Sequence, residues 1–310
     1  MKIYLSKLNE SWIVDKLRSE FIETFPEETT SSLKSADVVW VIAPWALKKT
    51  DLFKYKSKKI ICSIYHLDES IKNNEDIERF LKLDKYIDEY HTISKKSQDI
   101  IQKYTEKKVT EIPFWVNTNN FFEIQNKEIL RKKYKFDSKD FLVGSFQRDS
   151  EGQNPQNPKL IKGPDVFLKI VKQLHHTNKN LKIILSGKRR DFIINNLKTL
   201  QIDYSYFEMV DIETLNELYN LLDLYIVSSR LEGGPQAIVE CATTNTPVVS
   251  TDVGVASQIL SRDSIYDYED LSSFFKASAN VKVAKNNVSR LETPNGFVPF
   301  LEMFRELIES

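Results

Sequence analysis

The chain has 310 residues, 41% hydrophobic and 28% charged, a composition typical of a globular protein large enough for two domains. Lysine plus arginine and aspartate plus glutamate both number 44, so no overall positive field favours a nucleic-acid partner. The two cysteines, Cys62 and Cys241, lie in predicted buried segments, as expected for reduced core residues of a cytoplasmic protein. The N-terminus predicts a strand rather than a signal peptide, and no apolar run approaches membrane-spanning length.

Strands and helices are predicted to alternate through the first part of the chain, which indicates a doubly wound α/β domain. Ser94 is a plausible N-cap for the helix that follows the strand ending at Thr92. The predicted strands cover residues 2–5, 37–42 and 60–65, and the predicted helices cover 12–25 and 71–83.

The same alternation continues after a boundary predicted near residues 120–127. The last segment, 295–310, is predicted as an amphipathic helix with Phe297, Phe300, Leu301, Phe304 and Leu307 along its apolar stripe. Before it, helices are predicted at 127–135, 165–176 and 214–222, and strands at 141–146, 181–186, 206–210, 224–227, 247–251 and near 265.

One stretch, residues 224–260, predicts a strand, a glycine loop, a helix and a second strand. The loop carries Glu232, Gly233 and Gly234, and the helix is expected to begin near Pro235 and end at Asn245. Such a loop directs backbone N–H groups and the positive end of a helix toward one point, which suits a phosphate or sugar hydroxyls.

Glu240 lies about one and a half turns into this helix and would reach back toward the same point, because helical side chains lean toward the N-terminus. Alternatively, Glu240 lies on a solvated helix face, together with Gln236, Thr243 and Thr244, and the glycines only form a tight turn.

The spacing of Glu232 and Glu240, with glycines between them and Pro-Val-Val, Asp and Val-Gly after them, resembles the signature of retaining GT-B glycosyltransferases of the family 4 type. The segment VTEIPFWVNTNNFF also resembles the phrase that closes the first domain in this family, with Trp115 replacing a glycine and Asn117 an aspartate. The resemblance implies two Rossmann-like doubly wound α/β domains facing a central cleft, here with a shortened N-terminal domain.

On this basis we divide the chain into an acceptor-side domain (1–122), a nucleotide-sugar-binding domain (123–294) and a C-terminal helix (295–310). In GT-B proteins the C-terminal helix commonly crosses back onto the first domain.

The resemblance implies a hexosyltransferase-type enzyme that moves a sugar from a nucleoside-diphosphate sugar to a hydroxyl of a glycan or lipid-linked glycan, with retained anomeric configuration. In the family, a basic residue after one strand and a lysine before the next helix hold the donor diphosphate; Arg148 and Lys162 occupy these positions. Two cations there would stabilise the negative charge that grows on the leaving group. The alternative is that both are solvated surface cations.

Glu232 is expected to contact the donor sugar, and Glu240 to accept hydrogen bonds from ribose hydroxyls. The loop around Val210 is expected to hold the nucleobase through backbone atoms. Lys188 lies beside Arg189 and Arg190, and these three cations either face the nucleotide or, as we favour, form a solvated helix start. The remaining expected donor-site residues are Ser145, Gly233, Gly234, Pro235 and Gln236. No Asp-x-Asp pair lies at a predicted strand end, so we expect no metal cofactor.

The acceptor side departs from the family. A Gly-Gly loop usually follows the first strand, where this chain has residues 6–10 (SKLNE), and a histidine usually lies where this chain has Trp40, Ile42 and Trp45. His66, beside Asp68, is the best replacement for an acceptor-orienting or base residue. A hydrogen-bonded turn histidine is the alternative.

Six lysines between residues 48 and 59 form a basic cluster interleaved with Leu52, Phe53 and Tyr55. The cluster could contact an anionic membrane at the inner face of the cell, although a solvated lysine-rich helix end is the alternative we favour. A second class of function also remains open: a non-catalytic nucleotide-sugar-binding or scaffold subunit. A nicotinamide oxidoreductase is disfavoured because no G-x-G-x-x-G follows a predicted strand. The sequence leaves the oligomeric state open.

Overall fold

A computed structural model describes residues 1–6, 13–69, 74–152, 154 and 156–310 of the chain. The chain divides into two compact units, one formed by Met1–Phe114 with Pro294–Ser310 and the other by Trp115–Thr293. The sequence analysis placed its boundaries at residues 122 and 294. The C-terminal helix (Val298–Glu309) belongs to the first unit.

The first unit is built on a parallel sheet of five strands in the order β1-β2-β3-β4-β5. The strands are β1 (Ile3–Leu5), β2 (Val38–Val41), β3 (Lys59–Ser63), β4 (Glu89–Thr92) and β5 (Val109–Glu111). The helices between them are α1 (Ile13–Thr24), α2 (Lys49–Tyr55), α3 (Asn74–Asp84) and α4 (Lys95–Ile101). Residues 12 and 71–73, which the sequence analysis assigned to helices, lie outside the described residues. Strand β5 was not predicted, and α2 was predicted only as a lysine-rich helix end without bounds.

The chain reverses its direction across this sheet at β1. After α1, Thr29 forms an isolated parallel bridge with Ile3, whose N–H and C=O bond to Glu28 and Thr30. Lys2, one residue earlier, accepts instead from Asp37 at the start of β2, on the opposite edge of β1. The chain therefore pairs with both edges of β1, through the single Thr29 bridge on one edge and through β2 on the other. The first unit is thus doubly wound.

Helices cover both faces of the sheet. On one face, Phe21 of α1 and two side chains of the C-terminal helix, Phe300 and Phe304, pack against Trp40 of β2 with ring centroids 5.3–5.6 Å apart. On the other face, side chains from α2, α3 and α4 pack against Val39 and Val41. The apolar stripe of the C-terminal helix differs in one position from the prediction, because Met303 is buried where Leu301 is only half-buried.

A hydrogen-bonded histidine lies inside the first unit. Trp40 Nε1 donates to Ser63 Oγ (2.9 Å), Ser63 Oγ lies 2.8 Å from His91 Nδ1, and His91 Nε2 lies 2.8 Å from the carbonyl oxygen of Ile112. A carbonyl only accepts, so Nε2 carries the proton and Nδ1 accepts from Ser63. Burial lowers the pKa of His91 to about 4. The neutral ring therefore links β2, β3 and β4 to the residue after β5.

The second unit contains a parallel sheet of six strands, β6 (Phe141–Ser145), β7 (Leu181–Ser186), β8 (Tyr204–Phe207), β9 (Leu224–Val227), β10 (Val248–Thr251) and β11 (Ile265–Tyr266). The strand order is β11-β10-β9-β6-β7-β8, so the chain reverses between β6 and β9. Ligands of open α/β sheets bind beyond the carboxyl ends of the strands at such a reversal. The helices are α5 (Lys127–Lys133), α6 (Pro164–Thr177), α7 (Asp191–Thr199), α8 (Ile212–Leu221), α9 (Gln236–Thr243), α10 (Ala256–Ile259) and α11 (Val281–Val288).

Several local predictions are confirmed. Ser94 accepts a hydrogen bond from Ser97 N as the cap of α4, and Asn245 after α9 has a left-handed backbone with φ of 56°. Both cysteines are free and buried. The strand predicted at 206–210 lies two residues earlier, at β8. No helix in the described ranges combines the length and the apolar character needed to cross a bilayer.

Candidate functional site

Two loops meet at the reversal point of the second sheet, one after β6 and one after β9. Gly163, at the end of the first loop, has φ of +62°, and a Cβ atom there would lie 1.7 Å from the carbonyl oxygen of Ser228. Arg230 also binds Asp165 at the start of α6 through two hydrogen bonds of 2.8 and 2.6 Å. The loops are thus held together both by close backbone packing and by a bidentate ion pair.

Lys162 of the first loop and Glu232 of the second form an ion pair through Nζ and Oε1, with side chains 22% and 14% exposed. Ser229 Oγ lies 3.1 Å from Glu232 Oε1 and 3.1 Å from Gln147 Oε1. Gln147 Nε2 donates to the carbonyl oxygen of Lys162 (2.8 Å). The structure therefore brings Lys162 and Glu232 together, and it adds Gln147 and Ser229, which the sequence analysis did not assign to the site.

Further cations lie beside this pair. The pKa of Arg148 is lowered by burial and by the charge of Arg189, and the pKa of Lys159 is lowered by burial and by Lys162 and Arg148. Arg148 is half-buried and donates from Nε to the carbonyl oxygen of Ser150 (2.8 Å). Lys159 was missed, although its spacing of three from Lys162 along the short 3₁₀ turn Leu160–Lys162 would place both side chains on one side. A cationic environment of this kind favours an anionic ligand.

The sequence analysis favoured a solvated helix start for the three cations after β7, and this holds for two of them. Lys188 and Arg189 are exposed, but Arg190 is fully buried and pairs with Asp149, Nε to Oδ2 at 2.9 Å. Arg190 also donates to the carbonyl oxygens of Ser145 (2.7 Å) and Ser186 (3.1 Å), and its Nη2 lies 3.3 Å from Ser145 Oγ. Burial raises the pKa of Asp149 to about 6.

This arrangement changes the role that Ser145 can have. Its carbonyl oxygen and its hydroxyl are both engaged by Arg190, and its side chain is buried. Ser145 thus acts at the end of β6 by anchoring Arg190. Because Arg190 also binds Asp149, its contacts with Ser145 and Asp149 fix the backbone next to Arg148.

The glycine loop leads directly into α9. Gly233 and Pro235 are buried, Gly234 and Gln236 are half-buried, and Pro235 caps the helix, which starts at Gln236. A Cβ atom at Gly254, which follows β10, would lie 2.4 Å from the carbonyl oxygen of Gly233. The glycine loop is therefore tightly packed against the residues that follow β10, and this packing fixes its shape.

Glu240 does not lie on a solvated face. It is only 7% exposed, and the Tyr219 hydroxyl of α8 donates to its Oε2 at 2.7 Å. Thr243 and Thr244, assigned with it to the outer stripe, are 1% and 2% exposed, because α9 is enclosed by α10, α11, β9 and β10. A carboxylate held this far inside the protein is oriented by its partners rather than by solvent.

The other expected contacts are more peripheral. Val210 follows β8, is half-buried and packs against the apolar core, while Met209 before it is 58% exposed. In the first unit, His66 is exposed in the loop after β3, beyond the strand end at Ser63. Trp40 and Ile42 are fully buried, whereas Trp45 is 48% exposed. Residues 7–10 lie outside the described residues.

Among the residues that the structure describes, no three or more His, Cys, Asp or Glu side chains are grouped so that they could hold a metal ion.

The chain was compared with known proteins. The family model for glycosyl transferases group 1 matches residues 126–293, more than half of the chain. No curated protein matches the sequence significantly.

Three solved structures have a similar fold at low sequence identity. HepE of Anabaena, crystallised with UDP and glucose, is 12% identical with a TM-score of 0.77, over 98% of this chain and 99% of that chain. Sucrose-phosphate synthase of Thermosynechococcus elongatus is 12% identical with a TM-score of 0.72, over 98% of this chain and 81% of that chain. A glycosyltransferase of Rickettsia africae is 16% identical with a TM-score of 0.63, over 98% of this chain and 84% of that chain.

Proposed function

The chain belongs to the glycosyl transferases group 1 family, and from this premise we propose that it transfers a sugar from a nucleoside-diphosphate sugar to a hydroxyl group of a glycan or lipid-linked glycan. The observation that carries the proposal is the meeting of Lys162, Glu232 and the glycine loop at the reversal point of the second sheet. We take a UDP-sugar as the first donor to test, because HepE of Anabaena was crystallised with UDP-glucose.

In this proposal the second unit binds the donor. Arg148 and Lys162 stabilise the diphosphate as it leaves, aided by the backbone amides at Gly233 and Gly234. Glu232 accepts hydrogen bonds from the donor sugar, and Glu240 accepts them from the ribose. Lys159, which interacts electrostatically with both Arg148 and Lys162, adds to the positive field.

We further propose that transfer retains the anomeric configuration and needs no metal ion. The cations and amides beside the leaving group supply positive charge that a divalent ion would otherwise provide. A departing phosphate oxygen can accept the proton of the acceptor hydroxyl, so the reaction does not require a protein base. His66 is proposed only as an acceptor-orienting residue, because it is exposed at the end of a loop.

For the acceptor, we propose that the lysine-rich segment 48–59 contacts the inner face of an anionic membrane that carries a lipid-linked glycan. Phe53 is 65% exposed with Lys56 Nζ 4.0 Å above its ring, and Trp45, in the segment between β2 and α2, is 48% exposed. Tyr55 does not contribute, since it is 6% exposed in the core. The wild type should cosediment with phosphatidylglycerol vesicles and not with phosphatidylcholine vesicles. Phe53→Ser should no longer cosediment with phosphatidylglycerol vesicles. Equal sedimentation with both lipids would argue against this contact.

A non-catalytic nucleotide-sugar-binding subunit is the second candidate. It is favoured by Trp40 and Ile42, which are fully buried where the family usually has a histidine on the acceptor side. Release of UDP from a UDP-sugar, by transfer or by slow hydrolysis, separates the two candidates, because only the enzyme produces it.

Thermal unfolding against a panel of UDP-, GDP-, ADP- and TDP-sugars tests the donor assignment. A ligand at about a hundred times its Kd adds roughly 2.7 kcal/mol to the stability of the state that binds it. One nucleotide class should raise the Tm of the wild type and not that of Glu240→Ala. If no nucleotide sugar raises the wild-type Tm, the donor site is wrongly assigned.

A further inference from the structure

The Lys162–Glu232 ion pair joins two residues that the proposed function directs to different parts of the donor. Lys162 is assigned to the diphosphate and Glu232 to the sugar, yet the two side chains bind each other. We infer that Glu232 makes the site select a nucleoside-diphosphate sugar over the free nucleoside diphosphate, because its carboxylate competes with the diphosphate for Lys162. This inference rests on the proposed function.

The competition follows from the charges. A diphosphate that binds Lys162 takes it from Glu232 and places a second anion beside the same carboxylate. Both side chains are mostly buried, 22% and 14% exposed, so water screens this repulsion less than it would at the surface. A free diphosphate therefore binds against the cost of separating the pair and of leaving Glu232 near a like charge.

A donor sugar reduces that cost. Its hydroxyl groups can donate hydrogen bonds to Glu232 Oε1 in place of the Lys162 ammonium group, and such bonds to a carboxylate are strong. Without a sugar, the hydroxyl group of the described residues that lies within hydrogen-bond distance of Glu232 Oε1 is that of Ser229. Ser229 Oγ also lies 3.1 Å from Gln147 Oε1. One hydroxyl proton cannot serve both acceptors. The sugar is thus the part of the ligand that compensates Glu232.

The backbone around Lys162 and Glu232 is fixed, so a change of the partner that Lys162 binds requires only side-chain rotation. Gln147 Nε2 holds the carbonyl oxygen of Lys162 at 2.8 Å. The next residue, Gly163, packs against the backbone of Ser228 with no room for a Cβ atom. The Lys162 ammonium can therefore turn from Glu232 to a phosphate oxygen without movement of either loop. Selection against free diphosphate would also speed the release of the nucleotide product after transfer.

Isothermal titration of Glu232→Gln with UDP and with UDP-glucose tests the inference. The variant should bind UDP about five- to tenfold more tightly than the wild type, because the competing charge is gone. Its preference for UDP-glucose over UDP should fall by at least the same factor. Glu217→Gln is the matched control, since Glu217 is 13% exposed and pairs with Lys133 outside the site. That control should leave both affinities unchanged.

A second background tests the mechanism. In Lys162→Met, where the ion pair with Glu232 is gone, adding Glu232→Gln should tighten UDP binding severalfold less than it does in the wild type. Equal or weaker UDP binding by Glu232→Gln, with a wild type that binds UDP, would overturn the inference and leave the donor assignment intact. A wild type that binds none of the UDP-, GDP-, ADP- and TDP-sugars would instead overturn the proposed function and the inference with it.

Discussion

The hydroxyl group of Tyr219 in α8 donates a 2.7 Å hydrogen bond to Oε2 of Glu240 in α9, and the two residues are only 2% and 7% exposed. Burial and the neighbouring Glu240 carboxylate raise the pKa of Tyr219 well above its ordinary value, so the phenol keeps its proton and remains a donor. The bond orients the carboxylate that we propose for the ribose.

Tyr219→Phe should therefore weaken binding of a nucleoside diphosphate as well as lower stability. Loss of a hydrogen bond to a buried carboxylate costs about 1.5–3 kcal/mol, and the less constrained carboxylate should bind UDP roughly tenfold more weakly. Titration calorimetry and urea unfolding measure the two effects. Tyr134→Phe is the control, because Tyr134 Oη bonds at 2.6 Å to Glu217 and not to Glu240. Equal loss of UDP affinity in both variants would deny Tyr219 a role at the site.

Much of the second sheet was predictable because buried parallel strands are short continuous apolar runs. The predicted bounds of β7 and β9 match the observed Leu181–Ser186 and Leu224–Val227. Strand β8 was placed two residues late because its residues are all half-buried and carry polar groups among aromatic ones. Helix α2 was predicted only as a lysine-rich helix end without bounds, because its lysines conceal the apolar pattern that periodicity detects.

At the site, the sequence identified loops but not partners. Glu240 was assigned to an outer stripe with Thr243 and Thr244, because small polar residues resemble a solvated face until neighbouring elements enclose the helix. The burial of Arg190 depends on Asp149, a residue 41 positions earlier in the chain. Pairings at that separation follow from the sheet order, which local patterns do not encode.

Removing the charge of Lys162 should slow the chemical step. Lys162→Met should lower kcat about a hundredfold, as expected when one preorganised group that stabilises a leaving charge is lost. The rate of UDP release at saturating concentration of the UDP-sugar that thermal unfolding identifies gives kcat. Lys133→Met is matched, because it removes a lysine that pairs with Glu217 at 2.6 Å elsewhere in the unit, and it should keep wild-type kcat. A raised KM for the donor with unchanged kcat in Lys162→Met would mean that the lysine only binds the donor.

Two glycines with similar backbone angles should respond differently to alanine. Gly163 has φ of +62° and would place a Cβ 1.7 Å from the Ser228 carbonyl oxygen, whereas Gly152 has φ of +67° with nothing within 4 Å. Gly152→Ala should cost about 1 kcal/mol from the left-handed backbone alone. Gly163→Ala should cost at least about 3 kcal/mol, since the two loops must also separate. Urea unfolding measures both, and similar losses would show that the loops are not packed as described.

The buried histidine of the first unit should make stability fall in mild acid. Burial lowers the pKa of His91 from 6.5 to about 4, so the unfolded chain binds a proton more readily than the folded one between these values. Stability from this group is full above pH 6.5 and is lost as pH falls toward 4, by about 2 kcal/mol at pH 5. Urea unfolding from pH 7.5 to 5 measures the loss. Imidazole ¹⁵N spectra at pH 5 should still show a neutral ring protonated at Nε2, because the Ile112 carbonyl oxygen accepts there (2.8 Å) and Ser63 donates to Nδ1. A ring that becomes charged near pH 6.5 without loss of stability would contradict the buried Trp40–Ser63–His91 chain.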